Sequence, residues 1–149
     1  MKKLLLSFLG LLSLCLVLGA GRGFAEPHDQ ALVTVLLASN QGTDFNLDND
    51  EYKDKLIQLF SYTHYEQMDQ IWVPLEKSKR EKVLLPDGYE LVLTLQNAEK
   101  DRLLVQAVIK KMNLSYVDTV LSIKKPGVVF LGGPKAGEQV LILALEYRG

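Results

Sequence analysis

Asp44, Asn46, Asp48 and Asp50 stand at alternating positions and form the densest set of potential oxygen ligands in the chain. A hard cation such as calcium wants carboxylate and amide oxygens at that spacing. The calcium-loop template then breaks, because the position that needs Gly is Asn49 and the position that needs a bidentate Glu is Lys55. A solvated loop leading into a helix accounts for the same residues, so neither a metal nor a cofactor is expected. His28 and His64 are the only histidines, and neither has a partner at the i+3 or i+4 spacing of helical metal sites. His64, between Thr63 and Tyr65, suits a structural role. The one cysteine, Cys15, lies in the N-terminal apolar run, and the serines lie in no Gly-x-Ser-x-Gly elbow. No pair of carboxylates is marked out for glycoside chemistry. This inventory favours a protein that is not an enzyme.

Aromatic residues offer binding rather than catalysis. Tyr52, Phe60, Tyr62, Tyr65 and Trp72 crowd into one stretch, and stacked rings can hold a sugar or a peptide. Tyr52 and Phe60 fall on a helical stripe, where the core claims them. Tyr62, Tyr65 and Trp72 remain as a candidate exposed platform.

The elements that must position these residues follow from hydrophobic period. Ala31 to Ser39 is apolar on both faces and rich in β-branched residues, which predicts a strand covered on both sides. Asn40-Gln41-Gly42-Thr43-Asp44 breaks the chain. Asp48 and Glu51 stand three apart, as in a capping box, and Tyr52, Leu56, Leu59 and Phe60 follow at i, i+4, i+7 and i+8. One helix is predicted there, with Glu51 and Lys55 on its wet side. Beyond Tyr62 the period falls to two. Strands are predicted over 66–75, 82–85, 89–96, 102–111, 116–124, 128–131 and 139–147. Pro86-Asp87-Gly88 marks a turn, since Pro presets one dihedral and Gly supplies a positive φ. The expected architecture is α+β, mostly β: an antiparallel sandwich or partly closed barrel of about eight strands with one helix after the first.

The N-terminus carries an address. Lys2 and Lys3 precede an apolar run from Leu4 to Leu18, then small residues ending in Gly23-Phe24-Ala25. Charged n-region, short h-region and small-x-small site together predict a secretory signal peptide over 1–25, with Leu18-Gly19-Ala20 as a second cleavage site. The run falls short of the roughly 20 residues of a spanning helix. Cys15 follows Leu14, where lipoprotein processing wants Gly or Ala. Residues 26–149 are thus expected to form one exported domain, periplasmic or extracellular and not membrane-spanning. Removing 1–25 takes Lys2, Lys3 and Arg22 from the 17 basic residues and nothing from the 18 acidic ones, leaving a net charge near −4. An acidic domain has no electrostatic footprint for nucleic acid. The remaining chain has no cysteine, so no disulfide supports it and the core must.

The most distinctive stretch runs from Thr119 to Pro134, TVLSIKKPGVVFLGGP. It lacks the ending of a phosphate-binding loop and predicts a hairpin: a strand, a Pro-Gly turn, a short apolar strand and a Gly-Gly-Pro bend. Through Thr119, Gly127, Val128, Val129, Leu131, Gly132 and Gly133 it resembles a local pattern of secretins, the outer-membrane channels of bacterial secretion and pilus systems. Pro134 replaces the apolar residue expected after the glycines, and the long flanking secretin segments are missing, so no pore is implied. The order of apolar first strand, helix, Leu85-Pro86-Asp87-Gly88, Gly132-Gly133-Pro134 and apolar last strand is similar to that of small exported bacterial proteins, a resemblance that implies no activity. The functional expectation is a non-enzymatic domain that binds a protein partner in a bacterial envelope or secretion assembly by adding a strand to an exposed edge. The last strand is the expected edge, with Leu141, Leu143 and Leu145 on one face and Val140, Ile142 and Ala144 on the other; its apolar outer face needs a cover, which either a partner or the helix of the same chain can supply. Two other classes stay open: a carbohydrate or cell-wall module using Tyr62, Tyr65 and Trp72, and a small extracytoplasmic hydrolase using His64.

Overall fold

The computed structural model describes residues 28–148. The predicted signal segment, its cleavage sites and Cys15 lie outside the described residues. The chain folds as a mostly-β sandwich of two sheets with one helix, and the sheets do not close into a barrel. In chain order the elements are β1 (Asp29–Ser39), β2 (Phe45–Asn46), α1 (Glu51–Leu59), β3 (His64–Leu75), β4 (Arg80–Leu84), a 3-10 turn (Pro86–Gly88), β5 (Glu90–Ala98), β6 (Arg102–Lys111), β7 (Leu114–Lys124), β8 (Gly127–Ala136) and β9 (Gln139–Tyr147). A five-stranded sheet has the order β2-β3-β1-β9-β8, and a four-stranded meander has the order β4-β5-β6-β7.

Alternation decides the four-stranded sheet. Leu91, Leu93 and Leu95 of β5 and Leu103, Val105, Ala107 and Ile109 of β6 turn inward and are buried, while their neighbours face out. They meet Val33, Val35, Leu141, Leu143 and Leu145 from the facing sheet in one core. Fully burying each such side chain stabilises the fold by roughly 1.5–3 kcal/mol. The five-stranded sheet is covered on both faces. On its outer face Leu36, Ala38, Ile142 and Ala144 pack under Tyr52 and Leu56 of α1.

Several expectations need correction. The last strand is not an edge: β9 lies between β1 and β8, and both of its faces are buried, one between the sheets and one toward the helix. Leu141, Leu143 and Leu145 are therefore core residues with 0% exposure, and no partner strand can reach them. Residues 119–134 do not form a hairpin, because β7 and β8 run in different sheets. Nor does the chain turn at Gly132-Gly133-Pro134. There β8 continues through a bulge, with Gly132 opposite Ile142 and Lys135 opposite Val140. No capping box forms either. Asp50 is the N-cap without a side-chain bond, and Asn49 Oδ1 accepts from the Glu51 N–H at 3.0 Å. Helix α1 stops at Leu59, and Phe60 is already extended, so the stripe ends early and Leu59 is exposed.

Candidate functional site

Strand β3 carries the candidate site because, among the described residues, most of its outer edge has no ladder partner. The two-residue β2 pairs only Tyr65 and Glu66, which leaves the rest of β3 open on that side. A bulge opposite Val35 and Leu36 shifts the register by one residue, so that Trp72 lies opposite Leu32. Trp72 is 49% exposed, whereas Val73 beside it is buried between the sheets. Trp72 borders two depressions at the edge of the sheet. One, of about 280 Å³, is the open seam between the sheets, lined by Ile71, Val73 and Pro74 of β3 and by Val83 and Leu84 of β4. Asp69, Glu81 and Lys82 rim it, and Leu84 stands 73% exposed. The other, of about 420 Å³, is lined by His28, Gln30, Trp72, Tyr147 and Arg148.

A polar network anchors this face. Tyr52 from α1 donates its hydroxyl to Glu146 Oε2 at 2.6 Å, and Arg148 grips the same carboxylate with Nε at 2.9 Å and its terminal nitrogen at 3.1 Å. On the neighbouring strands Gln70 donates to Thr34 Oγ1 at 3.1 Å, which satisfies a fully buried hydroxyl. Burial and the Glu146 acceptor push the Tyr52 phenol up to about 12, so it remains a donor at any physiological pH. Burial alone would raise the Glu146 carboxyl, but hydrogen bonds from Arg148 and Tyr52 outweigh it and hold the group below the usual carboxylate range. A carboxyl lowered in the folded state contributes stability above its unfolded pKa and loses it as pH falls through its folded pKa. Glu146→Gln should therefore flatten the fall in melting temperature between about pH 5 and pH 3. A pH profile that the substitution leaves unchanged would dismiss the network as a source of stability.

The predicted aromatic platform does not assemble. Tyr65 is fully buried, 5.2 Å from the Phe45 ring, and donates its hydroxyl to the Leu56 carbonyl at 3.3 Å. Tyr62 meets Tyr65 edge-on at 6.4 Å and packs on the helix cluster. Six strand residues, a span of about 20 Å from ring-bearing residue to ring-bearing residue, separate Tyr65 from Trp72. Of the three, Trp72 alone lines the site. Leu84, Gln30 and Arg148 join it without having been singled out beforehand. Leu84 did have a signal: Leu84 and Leu85 are adjacent, and on a period-two strand both cannot face inward.

The remaining chemical candidates have structural partners. Gln67 donates to Asp48 Oδ2 at 2.8 Å and accepts from the Asp48 N–H at 3.2 Å, which fastens the acidic loop to β3. Among the described residues no three His, Cys, Asp or Glu gather as a metal site. His64 borders a depression with Ser39, Gln41 and Glu138, and its Nδ1 is buried without a hydrogen-bond partner. Ser122 and Lys125 stand three apart, but Ser122 is exposed on β7 and Lys125 pairs with Asp29 at 3.4 Å. Among the described residues no helix is long and apolar enough to cross a membrane. No protein-family model, curated protein or solved structure matches the chain.

Proposed function

We infer that the chain is an exported, non-enzymatic domain that binds a protein partner within a bacterial envelope or secretion assembly. The observation that carries the reading is the seam between β3 and β4. There a half-exposed tryptophan and an exposed leucine flank an apolar depression, and single exposed aromatics in such settings are the common anchors of protein interfaces. The acidic and basic rim of Asp69, Glu81 and Lys82 suits a polar border around an apolar centre. Trp72 is the only tryptophan, so its fluorescence reports directly on this surface. Crosslinking in the envelope of the producing cell, followed by pull-down, should recover a partner from the wild type. Trp72→Ala should lose that partner while changing stability by less than about 1 kcal/mol, since the ring is half in water. A partner that the substitution leaves bound, or recovery of the wild type always alone, would defeat this reading.

A second reading rests on the adjoining depression. Gln30 and Arg148 line it together with Trp72, and a ring beside amide and guanidinium groups is the chemistry that holds a sugar. Tryptophan fluorescence titrated with cell-wall glycan fragments separates the two. Saturable quenching would favour the carbohydrate module, and an unchanged spectrum would leave the protein partner.

A further inference from the structure

The sheet edges of this molecule are treated very differently. An exposed strand edge is a template for pairing, and proteins blunt it with short length, charge, proline, bulges or cover. Strand β4 is five residues long and begins Arg80-Glu81-Lys82. Strand β8 is broken by its bulge at Gly132-Gly133-Pro134. The open part of β3 contains Pro74 and a bulge, and the Gln70 N–H is satisfied at 2.8 Å by the Asp69 side chain. Strand β7 differs on nearly every count. It is eleven residues long, LSYVDTVLSIK, with no glycine or proline and only Asp118 and Lys124 charged. Its one irregularity lies near its start, and from Val117 to Lys124 its pairing with β6 runs unbroken. Opposite that pairing, no ladder partner exists among the described residues. Leu114, Tyr116 and Val120 stand 66%, 49% and 51% exposed along it.

We propose that β7 is a self-association edge, on which a second copy of the chain lays its own β7 antiparallel across a two-fold axis. The charges select both the occupant and the register. With Leu121 facing its own counterpart, Asp118 stands opposite Lys124 of the second copy, Lys124 stands opposite Asp118, and Val120 faces Ser122. These residues share the outer face, since their partners on β6 are Val108, Arg102, Gln106 and Leu104. Gln106 Nε2 donates to Asp118 Oδ1 at 3.0 Å across the β6–β7 pair. An isologous pairing thus creates two opposite-charge cross-strand pairs and joins the two four-stranded sheets into one. A hydrophobic peptide from an unrelated protein would use the same backbone groups but would leave both charges without counterparts. The inference stands apart from the Trp72 seam, which lies at the other edge of the sandwich.

Sedimentation velocity over a concentration series of the purified protein tests it. A monomer–dimer equilibrium is expected. Asp118→Lys sets like charges opposite each other twice and should weaken the dimer at least about tenfold. Adding Lys124→Asp restores the opposition and should restore the dimer. Circular dichroism checks that these outward positions leave the fold intact. Val120→Lys, at a half-exposed site, is a second disrupting variant should Asp118→Lys misfold. A monomer at every concentration, a dimer indifferent to Asp118→Lys and Val120→Lys, or a charge swap that fails to restore association would each overturn the proposal.

Discussion

Leu143→Ala and Ile142→Ala will each destabilise the domain by about 2–5 kcal/mol, although the two side chains point to opposite faces of one strand. Both are 0% exposed. Leu143 sits between the sheets and Ile142 lies beneath the helix, in separate clusters. Truncating either removes transfer free energy and leaves a hole that neighbours on β1 and β8 fill only in part. For a domain of this size the melting temperature should fall by roughly 10–20 °C in each case. Ile57→Ala, on the exposed side of α1, is the control and should stay within about 0.5 kcal/mol. Thermal unfolding of the three variants is sufficient. Were only one face of β9 sensitive, the strand could not lie in the middle of a sheet covered on both sides.

The second large effect is expected at Gly133. A Cβ there would stand 3.1 Å from the Leu141 Cβ, 3.2 Å from the Leu141 carbonyl oxygen and 3.3 Å from the Ile109 methyl. Two of those atoms belong to or sit directly on the β9 backbone, which cannot swing away. Gly133→Ala should therefore cost about 1–3 kcal/mol, and Gly133→Val more. At Gly132 the nearest neighbour is the Phe60 ring edge at 3.3 Å. That ring is partly exposed and can yield, so Gly132→Ala should cost less. Urea unfolding midpoints compare the pair, and equal or absent losses would contradict the close approach of β8 to β9. The two glycines are thus explained by packing at a bulge rather than by a bend.

These positions also show what could be read in advance. Strands β5 and β6 were legible because one face is wet, so that leucines alternate with polar residues. Strand β1 was legible because Val33 to Ala38 is, apart from Thr34, apolar on both faces, which suits an interior strand. The same rule, applied to Leu141-Ile142-Leu143-Ala144-Leu145, would have moved β9 inward. Being last in the chain suggested an edge, but sheet order follows burial and not chain order. Tyr65 was misplaced for a different reason. The two-residue β2 and the bulge in β3 arise from long-range pairing with no local sequence period, and together they decide that Tyr65 faces the helix and Trp72 the solvent. In the site itself, Arg148 and Gln30 come together only because β1 and β9 are neighbours. Nothing in their local sequence announces it.

That neighbourhood governs when the fold can form. Leu32 lies opposite Glu146, 114 positions later in the chain, so the central seam of the larger sheet closes between the first and the last of the described strands. Contacts of such sequence separation demand much loop entropy before they return any stabilisation, and they make folding slow. Until β9 is available, β1 has β3 as its only ladder partner, and the side that β9 will occupy stays open. The larger sheet is therefore completed only when β9 slots between β1 and β8, after every other described strand is already in place to receive it.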